Sequence, residues 1–113
     1  MTSINGVDVG NVVQDALKAA KAVGVTNWTE IKDILKNIAD SLLVDLKYIA
    51  QEKLKGKIDE YSAKIFLEDQ KMVARIRLRS LAIITLQSAE RLVNAILDVF
   101  KAAANKALGW NIF

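Results

Sequence analysis

The side chains that could do chemistry in this chain are hydroxyls, carboxylates, amines and guanidinium groups, because it contains neither histidine nor cysteine. The commonest general base and metal ligand is therefore missing, and so are thiolate nucleophiles, thiolate metal sites and disulfides. Ser41, Ser62, Ser80 and Ser88 fall inside helical patterns with no histidine to activate them. Asp59-Glu60 and Glu68-Asp69 are adjacent carboxylates of the kind that acid–base pairs use, but solvated helix faces carry such doublets routinely. Glu52, Glu60, Glu68 and Glu90 do not repeat the doubled Glu-x-x-His spacing of di-metal helical bundles. Gly6 and Gly10 are too far apart, and follow no predicted strand, to form a phosphate-cradling loop. The sequence points away from an enzyme and implies neither a metal nor an organic cofactor.

The basic residues are the other chemical feature. Residues 36–79 carry ten Lys/Arg against seven Asp/Glu, a surplus equal to the +3 of the whole chain. Lys53, Lys55 and Lys57 cluster around Gly56, while Lys71, Arg75, Arg77 and Arg79 follow one another with no acid between them. Gathered on one face, Lys53, Lys55, Lys57, Lys71, Arg75 and Arg77 would meet nucleic-acid phosphates or an anionic membrane surface. Against that, the surplus is modest and no aromatics interleave the cations.

Stepping from these residues to the elements that must carry them, 113 residues allow one domain. The chain is 52% hydrophobic with an ordinary 26% of charged residues, so it has more apolar surface than a small monomer readily hides, and self-association is expected. The start, Met1 to Gly6, shows neither a basic nor an apolar signal region, and the charge-free stretch Ser80 to Ala89 is about half a membrane span. A cytoplasmic protein is the expectation.

Residues 1–10 read as an N-terminal arm and 11–113 as a single helical domain. A first helix is predicted from Asn11 to Val23, ended by Gly24. A second is predicted from Trp28 to Leu54, with an apolar stripe of Trp28, Ile31, Leu35, Ile38, Leu42, Leu46 and Ile49 and a turn at Gly56. Asn27 and Glu30 have the spacing of a capping box at its start. Beyond Ile58 no glycine or proline occurs until Gly109. Steps of seven from Ile58 give Ile65, Met72, Arg79, Leu86, Val93, Phe100 and Ala107, of which only Arg79 is not apolar.

The fold class is therefore all-α, an antiparallel helical bundle in one of two forms. One is a kinked helical hairpin with a single C-terminal helix over 58–108, about 75 Å long. The other is an up-down four-helix bundle with a turn near Thr85–Ser88. The unbroken phase and the missing turn residues favour the long helix. In that form Ile65, Met72, Arg79, Leu86, Val93 and Phe100 would line a homo-oligomer interface, most simply a dimer. Arg79 would then need Glu68 or Glu90 as counter-charge, with Arg75 sharing the same polar layer. The fully apolar segment Leu81–Leu86 is expected inside the bundle, and Trp110, Ile112 and Phe113 are expected to dock on the core. The expected function is that of a non-enzymatic helical scaffold or interaction protein that self-associates and builds a larger assembly. Binding of an anionic surface is the alternative.

Overall fold

A computed structural model describes residues 3–4 and 7–110, with side chains from Asn11 to Trp110. Four helices carry the fold: α1 (Val9–Lys21), α2 (Trp28–Leu54), α3 (Glu60–Arg79) and α4 (Leu86–Leu108). Ahead of them two two-residue strands, β1 (Ser3–Ile4) and β2 (Val7–Asp8), pair antiparallel with Ser3 opposite Asp8 and Ile4 opposite Val7. The all-α reading holds, in its four-helix form. A single helix over 58–108 is not formed, and the break covers residues 80–85, just ahead of the expected turn.

The helix ends show why the chain stops where it does. At the end of α2, Gly56 takes a φ of 69°, a left-handed conformation costly for any residue with a Cβ. That turn lets Lys57 N–H donate to Glu52 O (2.9 Å) and Gly56 N–H to Lys53 O (3.0 Å), the paired bonds of a Schellman motif. Asp59 caps α3 by accepting from Ser62 N–H (2.7 Å). Gly109, left-handed at 71°, closes α4. Trp110 then packs on the core beside that end, as expected, while Ile112 and Phe113 lie outside the described residues.

The break between α3 and α4 uses no glycine or proline. Ser80 Oγ donates to Arg77 O (2.8 Å) and Leu81 N–H to Leu78 O (3.2 Å), closing the end of α3. Thr85 starts α4 as its cap, with its Oγ1 accepting from Ser88 N–H at 3.0 Å. Between them, Leu81 and Ile84 are partly buried against the core while Ala82 and Ile83 stay exposed. Residues 81–85 are a loop anchored by Leu81 and Ile84, not a buried helix. Asn27 holds it from outside: its amide donates to Ile83 O at 2.6 Å and makes no capping bond to α2. The expected Asn27 cap is thus replaced by a tie between the two loops at this end.

Burial divides into two clusters. The first contains Ala16 and Ala20 of α1, Ile31, Leu35, Ile38 and Leu42 of α2, Ala74 and Leu78 of α3, and Leu92, Val93, Ile96, Leu97 and Phe100 of α4. The second joins Leu46, Ile49 and Ala50 of α2, Ala63 and Leu67 of α3, and Ala104 and Leu108 of α4, with nothing from α1. Successive helices therefore alternate in direction. Their lengths explain the division: α2, with 27 residues, spans about 40 Å of the 44 Å long axis, whereas α1, with 13, covers about 20 Å. One end is a four-helix section and the other a three-helix section.

Thr85→Ala removes the side-chain acceptor at the start of α4 and should cost about 1 kcal/mol. Urea titration should show a lower midpoint with an unchanged slope; no change in midpoint would mean that the loop is held by its apolar anchors alone.

Candidate functional site

α3 carries one spacing twice. Ala63, Leu67, Ala74 and Leu78 are buried, and Tyr61, Ile65, Met72 and Ile76 repeat the same pattern two residues earlier. At 100° per residue each set fills an arc of about 60°, and a two-residue offset places the sets on opposite sides of the helix. The outward set is left bare: Tyr61 is 65% exposed, Ile65 52%, Met72 57% and Ile76 62%. Val73 is exposed beside them. The stripe is about 22 Å long from Tyr61 to Ile76. Its neighbour α2 adds exposed Val44 and Tyr48, and the Tyr48 ring lies 5.5 Å from that of Phe66 on α3, tilted by 42°. Single exposed apolar side chains are ordinary, whereas an aligned row on one helix makes a continuous apolar strip.

The expected interface residues separate across the break. Ile65 and Met72 belong to the bare stripe, Arg79 lies exposed at its end, and Leu86 is exposed at the start of α4. Val93 and Phe100 instead sit inside the first core cluster. They are corrected from interface to core: when the chain reverses at 80–85, the face of α4 that continued the heptad turns inward. Tyr61 and Ile76 are not among the expected interface residues, although their four-residue spacing from Ile65 and Met72 is a signal for them.

Arg79 finds its counter-charge in Glu90. Arg79 Nε lies 3.1 Å from Glu90 Oε1 and Arg75 Nε 3.0 Å from Glu90 Oε2, so one carboxylate straps the end of α3 to the start of α4. Glu68 is used differently, pairing with Lys71 at 3.0 Å on its own helix. These pairs, with the helix positions, scatter the proposed basic face. Arg77 Nη2 donates to Asn37 Oδ1 on α2. Lys53 donates to Leu108 O, its Nζ 4.6 Å above the Trp110 ring, and so finishes the C-terminal end of α4. Lys55 approaches Glu52 at 3.8 Å, and Lys57 is exposed in the turn. Lys53, Lys55 and Lys57 are thus at the opposite end of α3 from Arg75 and Arg77 and do not form one surface with them.

The interior holds no chemistry of its own: among the described residues every fully buried side chain is apolar. No group of three or more acidic residues that could hold a metal ion occurs among the described residues. Nor is any described helix long and apolar enough to cross a membrane. Hollows lie between the two loops at the α1–α2 end and between α3 and α4, where Lys71, Arg75, Asn94, Asp98 and Lys101 meet. Both are open and shallow.

Two carboxylates titrate away from their usual range. The Ser62 backbone N–H holds the Asp59 carboxyl below it, and burial pushes that of Asp45 up. Asp45 lies next to core Leu46 and makes no ion pair among the described residues.

A scan against protein-family models, a search of curated proteins and a search of solved structures find no match to this chain.

Asp45 should weaken the fold at neutral pH, because the folded state prefers its protonated form. Its stabilising contribution is present below the unfolded pKa and is lost as pH rises through the raised folded value. Asp45→Asn should therefore raise the melting temperature at pH 7, with the gain shrinking as pH falls through the ordinary aspartate range. A gain independent of pH would point to packing instead. Glu90→Ala should destabilise by about 1 kcal/mol, since it removes the strap and leaves two half-exposed guanidinium groups without a counter-charge; thermal melts of the variant check this.

Proposed function

We propose that this protein is a non-enzymatic interaction protein that works by self-association, and that the outer face of α3 is its contact surface. The observation that carries the reading is the doubled pattern on α3. A helix that only completes a bundle needs one apolar face, yet this one has a second, made of larger side chains than the first. The apolar core, in which no polar or charged residue is buried among the described residues, supports an architectural role over a catalytic one. The alternative of an anionic-surface binder draws less support, because its candidate cations lie at opposite ends of α3 and most are engaged within the fold, with Glu52, Glu68, Glu90, Asn37 and the end of α4. In such a role the chain would supply a rigid unit of about 44 Å by 24 Å by 18 Å with an adhesive flank.

Sedimentation equilibrium across the micromolar range should give a mass that rises with concentration above the 12.5 kDa monomer. Added salt should leave it nearly unchanged, since apolar contact drives it. Met72→Glu should return a monomer while shifting stability by less than about 0.5 kcal/mol, as exposed substitutions do. A constant monomer mass for the unaltered chain would overturn the reading, and salt-sensitive binding to anionic vesicles or nucleic acid would replace it with the alternative.

A further inference from the structure

Resting on the reading that α3 is the contact surface, we propose that its partner is α3 of a second copy, laid antiparallel across a two-fold axis that passes between Glu68 and Asp69. Two properties of the stripe carry this.

The first is its symmetry. The four residues of the stripe, Val73 at its flank aside, are spaced four, seven and four apart, so the row reads the same in both directions about the midpoint of positions 68 and 69. An antiparallel copy sets Tyr61 level with Ile76 of the other chain and Ile65 level with Met72, twice over, which is the self-complementarity that an isologous contact requires.

The second is charge, which chooses between antiparallel and parallel pairing. From Glu60 to Asp69 the helix carries three acids against one lysine, with the capping Asp59 just ahead of it. From Gln70 to Arg79 it carries four cations and no acid. The internal ion pairs do not cancel this division. Glu68 and Lys71 neutralise each other, but Arg75 and Arg79 share the single carboxylate of Glu90 and keep a surplus charge. A parallel copy would lay acid on acid and base on base. An antiparallel copy lays the acidic half of one helix along the basic half of the other, and the two helix dipoles oppose in the same favourable sense. The cost falls near the axis, where Glu68 and Asp69 of one copy lie level with Asp69 and Glu68 of the other; Lys71 offsets Glu68, while Asp69 makes no ion pair among the described residues.

The chain has no cysteine, so single cysteines report this geometry without background. Three exposed variants, Asp69→Cys, Tyr61→Cys and Ile76→Cys, are each confirmed as helical by circular dichroism and then oxidised at concentrations where sedimentation shows association. Asp69→Cys should form a disulfide with itself, because the two copies of that position meet at the axis. Tyr61→Cys and Ile76→Cys should each stay uncoupled alone and cross-link with one another when mixed, being separated along the stripe by about 22 Å in like copies. Self-coupling at 61 or 76 would show parallel pairing. A dimeric mass without cross-linking at any of the three would show that another face is used. Either result overturns the antiparallel contact while leaving self-association in place, whereas a monomeric mass at every concentration removes both.

Discussion

The reversal of the chain at residues 80–85 is the constraint on which the other features rest. It folds α4 back along α3, and small residues of both helices enter the core there, Ala74 with Ala89 in the first cluster and Ala63 with Ala104 in the second. Once α3 spends its Ala/Leu face on α4 and α2, its Tyr/Ile/Met face has nowhere to go but outward. The same reversal turns Val93 and Phe100 into the core. The exposed stripe is thus a consequence of the fold's economy: one helix with two apolar sides, in a bundle that has room for one of them.

The polar contacts act at the ends and edges. Asn27 links the α1–α2 connection to the loop at Ile83, Glu90 ties α3 to α4 near the same end, and Lys53 closes the far end against Leu108 O and Trp110. Each lies outside the apolar interior, so none leaves a charge buried without compensation. Because α1 reaches only half the length of α2, the end containing Leu46, Leu67 and Leu108 rests on three helices. That section has the thinner cover, and the outer stripe of α3 runs alongside it from Tyr61 onward.

How much of this could be seen in the sequence depends on the kind of signal involved. The second helix, Trp28–Leu54, coincides with its expected bounds, and Ile31, Leu35, Ile38, Leu42, Leu46 and Ile49 are all buried. A large-residue stripe between two glycines leaves little choice. Gly24, Gly56 and Gly109 have the positive φ expected of helix terminators. The C-terminal half was misleading for two physical reasons. Steps of seven from Ile58 follow Ile65 and Met72, and on α3 these face out, because the inner face is the Ala/Leu set of Ala63, Leu67, Ala74 and Leu78. The absence of glycine and proline also suggested continuity, but a loop can be fixed by Ser80, Thr85 and a distant asparagine instead. The Arg79–Glu90 pair was among the expected partners, yet it arises from a hairpin within one chain and not from a polar layer in a long helix.

The hairpin itself is the claim that everything else requires, and a single distance tests it. Lys71 on α3 and Lys101 on α4 border the same hollow. With spin labels at Lys71→Cys and Lys101→Cys, and excess unlabelled protein to dilute contacts between copies, pulsed electron–electron resonance should report a narrow distribution below roughly 25 Å, as neighbouring helices about 10 Å apart dictate. A distribution centred near 45 Å, the rise of thirty residues in an unbroken helix, would contradict the reversal, and with it the assignment of an inner and an outer face to α3.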